Sequence, residues 1–151
     1  MLGSWLTYVF YIDHYRSTSD ENAVMGSFCT SPAIRNYKNN FFSEFLATFI
    51  LIFGILYIVK PNILIEGMDV NFGIGSLDAL PVGILVWVIG LSLGGTTGYA
   101  INPVRDIVPR FMHGILPIGK RGESDWGYAW IPAIGPILGA AVAAGLYIVV
   151  V

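Results

Sequence analysis

Residues 98–106, Gly-Tyr-Ala-Ile-Asn-Pro-Val-Arg-Asp, place an asparagine, an arginine and an aspartate between two strongly apolar segments. Asn102 is a good helix N-cap, and Pro103 suits the first helical position, where its missing N–H costs nothing. A helix over 103–113 is about 15 Å long, roughly half a bilayer. Ile101, Ile107, Val108, Phe111, Ile115 and Leu116 make its surroundings apolar enough to dip into a membrane. Irregular backbone at membrane depth is tolerated only where it is buried in protein or lines a wet cavity. A charge at the bilayer centre costs at least ~2.5–3.5 kcal/mol, so Arg105 must face a polar path. Local chemistry alone equally allows a surface loop with an Asn-Pro turn.

Other reactive side chains form no constellation. Residues 114–120, Gly-Ile-Leu-Pro-Ile-Gly-Lys, fit the opening of a phosphate-binding loop. Arg121 then stands where Ser or Thr would hold magnesium, a proline interrupts the loop, and no helix start follows. His14 and His113 lie far apart in sequence with no Asp/Ser partner set, so hydrolysis has no support. Cys29 is alone, so it makes no internal disulfide or metal cluster, and it reads as a small loop residue rather than a reactive thiol. No catalytic residue, metal or cofactor is expected. A net charge of −2 offers no basic surface for nucleic acid.

The elements that must position the 98–106 segment are apolar. Hydrophobic residues make up 55% of the 151, charged ones 12%, and the mean hydropathy is +0.68. A soluble domain carries about 25% charged residues, so the composition points to a bilayer and a single domain. Three segments reach the ~20 residues that a spanning helix needs: 41–59, 80–97 and 126–151. Residues 1–12 are too short to span and lack signal-peptide features, so they read as the tail of a longer helix or as an interfacial one. Polar connections occupy 13–40, 60–79 and 98–125, with Gly67, Gly73 and Gly75 in the second. Gly90, Gly94 and Gly98 recur every fourth residue, as do Gly135 with Gly139 and Ala140 with Ala144. Such spacing lets helix backbones approach closely, though Gly and Ala are also simply common in membrane helices.

Residues 98–106 resemble the second signature loop of the aquaporin (major intrinsic protein) family, and the Asp after the Arg resembles its glycerol-facilitator, or aquaglyceroporin, branch. Residues 28–36 resemble that branch's outer loop after the third helix, 43–56 its fourth helix and 124–140 its sixth. The family has six spanning helices and two half-helices in an inverted repeat, and this chain resembles the C-terminal half. The implied fold is an all-α membrane protein: three transmembrane helices, one membrane-dipping half-helix at 102–113, and the stub of another helix at 1–12. Met1 is then expected to be an internal methionine. Asn-Pro-Val stands here for the family's Asn-Pro-Ala.

The resemblance implies a passive plasma-membrane channel for glycerol, small polyols and water, with no bond made or broken. Asn102 matches the pore asparagine, and the carbonyls of Gly98, Tyr99, Ala100 and Ile101 match its ladder of acceptors. Arg105 matches the selectivity arginine, Tyr99 the aromatic filter position and Gly90 the small filter residue. Pro103 and Asp106 support the loop, Glu44 with Thr48 resembles the buried glutamate that accepts from loop N–H groups, and the second aromatic wall is absent. Implied partners are the lipid bilayer, the missing N-terminal half, and further copies, the family being typically a homotetramer. The competing expectation is a non-conducting fragment. A secondary transporter would need an ion-coupling acid, for which only Glu44 and Asp106 are near. The family's topology puts Arg16, Arg35, Lys38, Lys120 and Arg121 outside and only Lys60 inside, the reverse of the positive-inside rule.

Overall fold

The computed structural model describes residues 1–58, 62–65, 68–71 and 75–151. Val59 at the end of the first expected span, its expected stop Lys60-Pro61, and Gly67 and Gly73 lie outside the described residues. Helices build the fold: α1 (Leu2–Phe10), α2 (Ile12–Ser17), α3 (Glu21–Gly26), α4 (Tyr37–Tyr57), α5 (Leu80–Leu93), α6 (Pro103–Ile115) and α7 (Trp130–Val150). Between α4 and α5 runs a short antiparallel ribbon, β1 (Asn62–Ile65) with β2 (Met68–Asn71), in register Asn62↔Asn71 to Ile65↔Met68.

The central pair is α4 against α7. Asn36 caps α4 by accepting from the Asn39 N–H, while the Asn40 side chain folds back to accept from the Asn36 N–H at 2.9 Å and donate to the Ile34 carbonyl at 3.1 Å. This brace starts α4 at Tyr37, before the apolar run begins. Close packing depends on missing side chains: a Cβ at Gly135 would stand 3.1 Å from the Glu44 Cβ, and one at Gly139 would collide with the Phe45 carbonyl. Each helix has 21 residues and is long and apolar enough to cross a membrane, yet only 22% of its apolar window is buried within the chain. The remaining surface must meet lipid or other protein.

The segment expected to span over 80–97 is helical only to Leu93. Gly94-Gly95-Thr96-Thr97 has low helix propensity and unwinds into turns, with the Gly98 N–H still reaching the Gly94 carbonyl at 2.9 Å. The last expected span is likewise preceded by turns: α7 begins at Trp130, not 126, because 125–129 close bonds from Tyr128 N–H to Asp125 O and Ala129 N–H to Trp126 O. At the loop end of the molecule, Tyr15, Val24, Phe28, Met112, Leu116 and Ile118 form one buried cluster. It fastens α2 and α3 to the far end of α6.

Candidate functional site

The segment entering α6 is strained and then held. Gly98, Tyr99 and Ile101 take φ of +75°, +40° and +43°. A left-handed conformation costs a non-glycine residue about 1–2 kcal/mol, and here two residues bear it. The opposing force is Glu44 on α4. Its carboxylate is wholly buried and accepts from the Ala100 N–H at 2.9 Å and the Ile101 N–H at 2.8 Å. Charge-assisted bonds of this kind are roughly twice as strong as neutral ones. In a planar trans peptide the N–H and the preceding C=O point in opposite directions. Gripping these two N–H groups therefore turns the carbonyls of Tyr99 and Ala100 away from Glu44, and neither accepts a hydrogen bond among the described residues. Thr48, paired with Glu44 by spacing, donates instead to the Glu44 main-chain carbonyl at 2.8 Å.

The other predicted site residues gather around this turn. Asn102 caps α6, its Oδ1 accepting from the N–H groups of Val104 at 2.9 Å and Arg105 at 3.4 Å. Its amide nitrogen is left over as a donor. Pro103 occupies the first turn of α6. Arg105, three residues on and so on the same face, is exposed and makes no ion pair or side-chain hydrogen bond among the described residues. The Tyr99 ring lies over α5, where Cβ atoms at Gly90 and Gly94 would stand 3.2 Å from its Cζ and 2.6 Å from its Cδ1. The glycine face of α5 thus receives an aromatic ring of the same chain. Gly98 abuts Thr30. Exposed donors (Asn102, Arg105), freed acceptors (Tyr99, Ala100) and one aromatic face lie together, with the positive end of the α6 dipole among them.

The opposite face of α6 is closed. Asp106 and Arg110 are wholly buried. Asp106 Oδ1 accepts from Arg110 Nε at 2.8 Å, and Oδ2 accepts from Arg110 Nη2 at 2.9 Å and from the Thr30 N–H and hydroxyl at 2.7 and 2.6 Å. Arg110 also donates to the carbonyls of Thr30, Ser124 and Asp125 at 2.8, 2.8 and 3.1 Å. Next to it, His113 Nε2 meets the Arg121 carbonyl at 3.0 Å, which can only accept, so Nδ1 accepts from the Ser124 hydroxyl at 2.8 Å. Burial lowers the His113 pKa, so the neutral ring is favoured. Asp125 pairs with Arg35, whose guanidinium lies 5.5 Å from the centre of the Tyr128 ring. Cys29 is buried, and burial pushes its thiol up to about 11, which keeps it protonated at neutral pH.

Thr30, Arg110, His113 and Ser124 did not emerge from the sequence as a site. The available signal was the i, i+4 spacing of Asp106 and Arg110. Pro109, inside the same helix, has no N–H to give the Arg105 carbonyl, which lies four residues back.

Residues 2–147 match the family described as "Major intrinsic protein". Over 97% of its length the chain is 46% identical to the "Probable glycerol uptake facilitator protein" of Thermotoga maritima, covering 58% of that protein. It is 44% identical over 97% to "Glycerol uptake facilitator protein 3" of Lactiplantibacillus plantarum, covering 57%. It is 43% identical over 95% to the "D/L-lactic acid transporter" of the same organism, covering 58%. Among solved structures, the aquaglyceroporin from Plasmodium falciparum superposes with a TM-score of 0.71 at 30% identity, over 97% of this chain and 57% of that one. The chain thus spans little more than half the length of the curated relatives it matches.

Proposed function

Because the chain belongs to the major intrinsic protein family, a family of membrane channels and transporters, we propose that it forms one wall of a passive pore for glycerol, related small polyols and water. The observation that carries this reading is the Glu44 carboxylate holding the Ala100 and Ile101 N–H groups and so turning the Tyr99 and Ala100 carbonyls outward. A permeating hydroxyl donates to these carbonyls and accepts from the Asn102 amide and the Arg105 guanidinium. It exchanges bonds to water for equivalent bonds along the wall. The Tyr99 ring lies along the carbon side of a polyol, and the small Gly90 leaves room for it. The fixed cation at Arg105 repels cations and needs no deprotonation to do so. No bond is made or broken. In this assignment α4, α5 and α7 cross the plasma membrane, α6 dips into it as a half-helix, and α1 is the end of a helix.

A single wall does not close a pore. The facing wall comes from a separate N-terminal half-chain or from a second copy paired symmetrically with this one. The test is swelling of liposomes on glycerol, water and lactate gradients, with this chain alone and with a complementary N-terminal half. Glycerol and water flux that does not saturate, seen with the pair and lost in Asn102→Ala or Arg105→Ala, is the expected result. Flux of lactate in place of glycerol would transfer the reading to monocarboxylic acids. A folded, assembled pair that passes neither would reduce the chain to a non-conducting fragment.

A further inference from the structure

Tyr128 lies in the turn before α7, wholly buried, and its hydroxyl is the one buried side-chain nitrogen or oxygen without a hydrogen-bond partner among the described residues. Buried polar groups are nearly always paired, with protein or with ordered water. This chain alone already seals the hydroxyl, so no wall added from outside reaches it. The Arg35 guanidinium over the ring face, held by Asp125, closes that side too. Its partner has to be small, polar and internal, which describes a water molecule.

The surroundings indicate where that water turns. Burial first, and then the Glu44 and Asp106 carboxylates that hold the two ends of the 100–106 segment, keep the Tyr128 hydroxyl a neutral O–H donor. Asp106 already takes four donors, three on Oδ2 and one on Oδ1, against two on Glu44. Each Glu44 oxygen receives only one bond among the described residues, so a lone pair remains open on both. Gly135, seven residues beyond Tyr128, packs on the Glu44 Cβ and brings the start of α7 alongside this carboxylate.

We infer that a buried water molecule accepts a hydrogen bond from Tyr128 Oη and donates one to the Glu44 carboxylate. Tyr128 is thereby a positioning residue, acting on the Ala100–Ile101 turn through that water. The inference rests on the packing of this chain and not on conduction, so a null swelling assay leaves it standing.

Infrared difference spectroscopy of the lipid-reconstituted chain tests it, with 13C-labelled glutamate and exchange into H218O. The Glu44 carboxylate is recognised as the glutamate band that is lost in Glu44→Gln. The expected result is an isotope-sensitive O–H stretch of a weakly bonded water that disappears in Tyr128→Phe, with a simultaneous shift of the Glu44 band. A water band and a Glu44 band that are both unchanged in a folded Tyr128→Phe overturn the inference. So does a density map that puts a protein atom within hydrogen-bond distance of Tyr128 Oη.

Discussion

Arg105 and Arg110 stand on one helix, five residues apart, in opposite conditions. Arg110 is buried and makes five hydrogen bonds, whereas Arg105 is exposed and makes none with its side chain among the described residues. At about 3.6 residues per turn, Arg110 lies roughly 40° around α6 from Asp106, while the two arginines lie roughly 140° apart. The geometry of the helix therefore decides which cation is spent on structure and which stays exposed. The two carboxylates divide likewise. Asp106 takes four donors from Arg110 and Thr30, and Glu44 holds the Ala100 and Ile101 N–H groups, which turns the Tyr99 and Ala100 carbonyls to the other side.

The largest effect that sharpens this contrast is Arg110→Ala. It leaves Asp106 buried and unpaired, which costs about 3–5 kcal/mol, and thermal melts in detergent should show the loss or the chain should fail to accumulate. Arg105→Ala should shift the same melts by no more than about 0.5 kcal/mol while removing polyol flux from the assembled pair. Equal destabilisation by the two would break the comparison. Next comes Glu44→Gln. An amide offers one acceptor where the carboxylate offers two and turns a donor on a backbone N–H, at a cost of about 1–3 kcal/mol. Hydrogen exchange at Ala100 and Ile101 should quicken in that variant and stay slow in Thr48→Val.

Smaller still is Asn102→Ala, the loss of one cap, about 1 kcal/mol, read as a lower melting temperature with faster exchange at Val104 and Arg105. The smallest concerns pH. The folded chain favours neutral His113, so this contribution to stability is complete above about 6.5, the ordinary histidine value, and is lost as pH falls through the lower folded value. Melting temperature against pH should show an acid limb that His113→Gln flattens. An unchanged limb would assign it to other groups.

How much of this was legible in the residues varies with the kind of bond. Hydropathy reveals α4 and α7 because a long apolar run has few other solutions, and Asn102-Pro103 announces the start of α6 through cap chemistry. Small residues at four-residue spacing announced close approach on α5 and α7, but not what approaches: for α7 it is the α4 backbone, for α5 the Tyr99 ring. Asp106 with Arg110 could be paired by spacing. The carbonyls of Thr30, Ser124 and Asp125 that complete the arginine's shell could not, since every residue has a carbonyl and the chain distance to Thr30 is 80 residues. The unwinding after Leu93 was written in Gly94-Gly95, outweighed in the reading by the apolar run before it.

The strain at Tyr99 and Ile101 has a consequence in time. Neither residue keeps a left-handed backbone by itself, and the restraint is Glu44, made 56 residues before Ala100. At roughly 5–20 residues per second of synthesis, the clamp exists on the order of several seconds before the turn that it will clamp. The ribosome thus delivers the anchor before the load, and the turn is born beside the residue that dictates its shape.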